Sequence, residues 1–82
     1  MNSAKNVSDV TYNIAYMAIN EVTNEIFAGA RGQAAFTTKG ALKNSMNMRN
    51  CYQDKGKYDY NDPKWIFYEI NPIDKKLIRI MK

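Results

Sequence analysis

Histidine is absent from these 82 residues and cysteine occurs once, at Cys51. These absences exclude an intrachain disulfide, a Ser–His–Asp triad, a Cys–His dyad and a zinc site built from Cys and His. No apolar run approaches the roughly 20 residues of a membrane-spanning helix. The polar stretch Met1–Asp9 lacks the apolar segment of a secretion signal. A lone cysteine fits a reducing cytoplasm, and without a secretion signal Asn6-Val7-Ser8 is read as a chance match to the glycosylation pattern. The carboxylates Asp54, Asp59, Asp62, Glu69 and Asp74 show no D-x-D or E-x-x-E spacing for a metal, and Asp59, Asn61 and Asp62 read as a turn. The order Thr38-Lys39-Gly40 is wrong for a phosphate loop. No catalytic residue, metal or cofactor is expected, and a small binding module is the reading that remains.

A chain of this length is one domain with a marginal core. Disulfide and zinc being excluded, self-association is the available reinforcement, and a homodimer is expected. The net charge of +4 is unevenly spread. Residues 1–30 carry Lys5 against Asp9, Glu21 and Glu25, a net of −2. Residues 31–57 carry Arg31, Lys39, Lys43, Arg49, Lys55 and Lys57 against Asp54 alone, a net of +5, and residues 58–82 come to +1. Charge concentrated in this way attracts polyanions.

Met1–Val10 reads as an arm. Thr11–Asn20 alternates with period two and reads as a strand, Glu21–Glu25 as a turn in which Asn24 can adopt the left-handed conformation, and Ile26–Ala28 as a return strand. Gly29 and Gly32 permit positive φ in the exit from that hairpin. A helix follows from Thr38 to about Gln53, with Thr37 or Thr38 as cap. At 100° per residue, Ala41, Leu42, Ser45, Met46, Met48 and Tyr52 form its apolar face. Lys39, Lys43, Asn47 and Asn50, with Asn44 beside them, form a face with no acid to neutralise it.

Asp54–Lys64 is a loop in which Lys55 and Lys57 interleave with Tyr58 and Tyr60, a combination suited to phosphates and unstacked bases. Trp65–Ile70 and Lys76–Met81 are strands joined by the turn Asn71–Lys75. Ile66, Tyr68 and Ile70 are expected to share a face with Ile78 and Ile80. Trp65, Phe67 and Glu69 are expected opposite them, with Leu77 and Arg79. One helix covers one face, so Trp65, Phe67 and Leu77 are expected at an interface. The fold class is α+β: ββαββ, a small antiparallel sheet with one helix packed on one face, in a single domain spanning residues 1–82.

The run Tyr12-x-Ile14 … Ile26-Phe27-x-Gly29-x-Arg31-Gly32-Gln33-x-Ala35-Phe36-x-x-x-Gly40-Ala41-x-Lys43-Asn44 resembles a pattern in small accessory proteins of tailed phages, T-even-type phages among them. The resemblance covers about residues 12–50 and leaves out the final hairpin. The Asn-, Lys-, Ile- and Tyr-rich composition agrees with an AT-rich phage genome. Such proteins, made early in infection, often disable host defences, including toxin–antitoxin nucleases, some through bound RNA. The resemblance implies a phage inhibitor of a host defence protein, acting in the host cytoplasm, with the basic segment in contact with RNA.

The expected nucleic-acid-binding residues are Arg31, Lys39, Lys43, Asn47, Arg49, Lys55, Lys57 and Tyr58, with RNA favoured over duplex DNA as the polyanion. The alternative is an anti-CRISPR-like protein–protein inhibitor that uses the apolar sheet face without nucleic acid. No membrane partner is expected.

Overall fold

The computed structural model describes residues 14–71 and 73–82. The Met1–Val10 arm and the first residues of the predicted strand lie outside that range. Four elements follow in order: β1 (Ala15–Asn20), α1 (Lys39–Tyr52), β2 (Trp65–Ile70) and β3 (Leu77–Ile80). They form a small α+β fold, an antiparallel three-stranded sheet in the order β1-β2-β3 with the helix inserted between β1 and β2. Among the described residues no helix is long and apolar enough to cross a membrane.

Local chemistry sets the element ends. Thr38 caps α1: its backbone is extended, and its hydroxyl accepts from Ala41 N at 3.0 Å, satisfying one free amide of the first turn. Asn24 takes up the left-handed conformation, with φ 63°. The turn before it is tightened by Asn20, whose Oδ1 accepts from Val22 N and Thr23 N. Gly32 has positive φ. Gly29 serves another purpose, since a Cβ there would lie 2.9 Å from Ser45 Oγ.

Ile26–Ala28 differs from the expected strand. It pairs with β1 through a single Ile19–Ile26 bridge, and a second bridge joins Tyr16 to Phe36. Backbone bonds from Asn20 N to Glu25 O, Phe27 N to Ala18 O and Phe36 N to Tyr16 O fasten this segment along the outer edge of β1. Phe27 is fully buried. Its insertion beneath the helix takes the place of a continuous ladder.

The register of the last hairpin corrects the expected face assignment. Ile70 pairs with Leu77, Glu69 with Ile78, Tyr68 with Arg79 and Phe67 with Ile80. The connection is one residue longer than Asn71–Lys75, because Lys75 adopts φ 60° and Lys76 stays outside the strand. A one-residue slip exchanges faces. Ile78 and Ile80 therefore lie on the side of Phe67, whereas Leu77 and Arg79 lie on that of Ile70 and Tyr68.

The helix covers the face of Trp65 and Phe67. Both are buried in a core with Ala18, Phe27, Phe36, Leu42, Met46 and Tyr58. Neither is available as an interface residue; of the expected three only Leu77 is exposed. Phe27 packs edge-on against Tyr58 and Trp65, with ring centroids at 5.2 and 6.5 Å. Trp65 Nε1 donates to Lys57 O at 3.2 Å, so the indole is buried with its polar atom satisfied. Truncation at this point removes the centre of the core. Trp65→Ala is expected to destabilise the protein by about 3–5 kcal/mol, a large share of a small domain's stability, as measured by the midpoint of urea unfolding.

Candidate nucleic-acid interface

The basic helix face is set by how α1 rolls on the sheet. Leu42 and Met46 enter the core, but Ala41 is exposed and Met48 and Tyr52 face solvent. Half-buried Arg49 and Asn50 turn inward instead, because fixed partners on the flanking chain hold them. Arg49 Nη1 donates to Ala28 O at 2.7 Å, and Nε donates to Asp54 Oδ2 at 3.1 Å, an oxygen that Nη2 shares. The guanidinium carbon lies 4.8 Å from the centre of the Tyr58 ring. Asn50 Oδ1 accepts from Tyr58 N at 3.2 Å.

That roll leaves Lys43, Asn44 and Asn47 along one flank of the helix. With Gly40 and Tyr60 they line an open cleft of about 330 Å³ that has no acidic side chain in its wall. Lys43 Nζ sits 5.6 Å from the centre of the Tyr60 ring. Lys39 begins the same flank, and its Nζ donates to Met81 O at 3.2 Å, tying the start of the helix to the end of β3. Beyond Tyr60, Lys82 Nζ donates to Asp62 O at 2.9 Å, which brings a C-terminal cation to the same side. Asp62 Oδ1 is engaged by Lys64 N.

The expected site residues fall into three groups. Lys39, Lys43 and Asn47 come together. Arg31 and Lys55 are exposed but apart from them. Arg31 follows Ala30, which packs by Ser45, Met48 and Tyr52 on the other flank of the helix. Lys55 lies beyond the C-terminus of α1, at the far end of a 14-residue helix that starts at Lys39 and is about 20 Å long. The third group is engaged by partners within the chain. Arg49 is committed to Asp54 and Ala28, and Tyr58 is buried, with its hydroxyl donating to Glu25 Oε2 at 2.8 Å. Lys57 stands 5.3 Å from the Tyr58 ring centre and 3.8 Å from Glu25 Oε2. Tyr58 therefore cannot stack on a base. Tyr60, Asn44 and Lys82 join the candidate site in its place; Tyr60 shares the basic–aromatic loop with Tyr58, and that is the sequence signal that pointed to it.

Burial, followed by the bond to the Glu25 carboxylate, raises the Tyr58 pKa above its ordinary value. The Lys57 pKa is raised too, first by its hydrogen bond with Tyr58 and then by nearby charge. A folded pKa above the unfolded one gives stability that is complete below the unfolded pKa and lost as pH rises through the folded one. Stability is thus expected to fall as pH rises past about 10. Tyr58→Phe is expected to lower stability by about 1 kcal/mol at neutral pH and to make that alkaline decline shallower, as read from urea midpoints across the alkaline range. No protein-family model, curated protein or solved structure matches the chain.

Proposed function

We propose that the protein is a non-catalytic, RNA-binding inhibitor of a host defence nuclease or toxin, and that RNA contacts the Lys43–Tyr60 cleft. The observation that carries the RNA reading is the composition of that cleft: a cation, two side-chain amides and an aromatic ring, with no lining carboxylate and with Lys39 at its head. Lysines supply phosphate contacts, the asparagines can hydrogen-bond base edges, and the Tyr60 ring offers a stacking surface for an unpaired base. A short helix with no helix-turn-helix partner favours single strands over the duplex major groove. The phage and host-defence part of the proposal rests on the sequence resemblance over residues 12–50, and it puts the protein in the cytoplasm of an infected cell.

The alternative, a protein–protein inhibitor working without nucleic acid, loses Trp65 and Phe67 as contact residues. Exposed Leu77 and Ile78 on β3 keep it open. The homodimer expectation loses the support of an uncovered Trp65 and Phe67 and rests on the small core alone.

The test is retention of labelled single-stranded RNA on a filter across a salt series. At ~0.7 per phosphate for single strands, the two or three cations of the cleft predict a log–log slope of about −2, whereas six gathered cations would give about −4. Lys43→Glu is expected to weaken binding about tenfold for every RNA sequence, and Tyr60→Ala to weaken it by about 1–3 kcal/mol. Absence of binding at about 50 mM salt rejects the proposal.

A further inference from the structure

The two edges of the sheet are treated differently. The outer edge of β1 is occupied by the 25–36 segment through its bridges and backbone bonds. β3 is the other edge, and among the described residues it pairs with β2 alone. The bond from Asn71 N to Lys76 O closes the hairpin at 3.3 Å and sets the alternation of the antiparallel ladder. Residues 76, 78 and 80 direct their backbone groups to β2, and the N–H and C=O of Leu77 and Arg79 point away from the sheet. Leu77 and Ile78 are 46% and 53% exposed.

Such an edge is a template for strand addition. Its charge identifies the occupant. Lys75, Lys76, Arg79 and Lys82 surround it, against Asp74 as the acid of the 73–82 stretch. A second copy would bring the same positive excess to the interface, and like charges in facing strands repel. Next to the edge, where the ladder ends at Ile80, a groove of about 470 Å³ is walled by Pro63, Ile66 and Met81 with Arg79 and Lys82. We infer that β3 accepts an extended acidic peptide segment of a partner protein as a fourth strand. Backbone bonds form at Leu77 and Arg79, carboxylates of the segment meet Arg79 on one face of the sheet, and apolar side chains rest on Ile78 on the other. This inference does not rest on the RNA reading.

Amide exchange measured by NMR on the full chain tests it, with a peptide of about eight alternating Glu and Val residues, long enough to span the edge, and a Lys–Val counterpart. The Glu–Val peptide is expected to slow exchange at Leu77 and Arg79 by at least about tenfold, and the Lys–Val peptide to leave it unchanged. Arg79→Pro removes an outward N–H and no ladder bond, and is expected to abolish the protection at Leu77. Should that variant fail to fold, the pair Lys76→Glu with Arg79→Glu decides, since it should reverse the preference between the two peptides. Four results would each overturn the inference. They are no protection by the Glu–Val peptide, equal protection by both peptides, protection that grows with protein concentration alone, as a β3–β3 dimer requires, and the same protection from oligouridine.

Discussion

The Arg49 guanidinium connects three parts of the chain that share no ladder. It reaches the Ala28 carbonyl on the segment entering the helix, Asp54 on the segment leaving it, and the face of Tyr58 in the loop toward β2. A cation with five donors and a flat face can satisfy all three at once. Because its partners lie on the core side, the helix rolls until Arg49 points inward, and Met48 and Tyr52 turn to solvent. The surface that α1 presents, and hence the candidate site, follows from that orientation.

The same clamp changes the electrostatics. The 31–57 stretch has a formal net charge of +5, but formal charge is not charge offered to a ligand. Arg49 is neutralised by Asp54, and Lys57 faces Glu25 from the sequence-distant acidic part of the chain. The cations that remain grouped are Lys39 and Lys43, joined by Lys82 from the C-terminus. The basic surface is therefore smaller than the charge count suggests, and it runs from the helix toward β3 rather than along the helix and both of its flanking loops.

Much of the framework was legible beforehand. Thr38 at the start of the helix, Asn24 in the first turn, and the alternating Trp65–Ile70 run all carry local signals that need no tertiary context. What was not legible lay in choices between near-equal alternatives. The helix has apolar residues on more than one side, so periodicity alone did not separate a face centred on Ser45 and Met48 from one centred on Leu42 and Met46. The last hairpin has a turn that closes over five or six residues with little local difference, and the sixth exchanged every side chain of β3 between faces. Tyr58 and Tyr60, two residues apart in one loop, were equivalent as sequence and became a core ring and a surface ring.

By itself the sequence determined the α+β class, the helix and its start at Thr37 or Thr38, the Trp65–Ile70 strand, the first turn, and the exclusion of histidine-based chemistry and an intrachain disulfide. Each of these depends on a residue's own shape or on neighbours within a few positions. Among the described residues, tertiary structure decided which face of the sheet is covered, which cations are engaged by acids, and which sheet edge is left unpaired. Those outcomes depend on contacts between residues far apart in the chain, such as Arg49 with Ala28, Tyr58 with Glu25 and Lys39 with Met81. No local pattern encodes which long-range partner reaches a group first, and folding resolves it by satisfying buried polar atoms and filling the space under the helix.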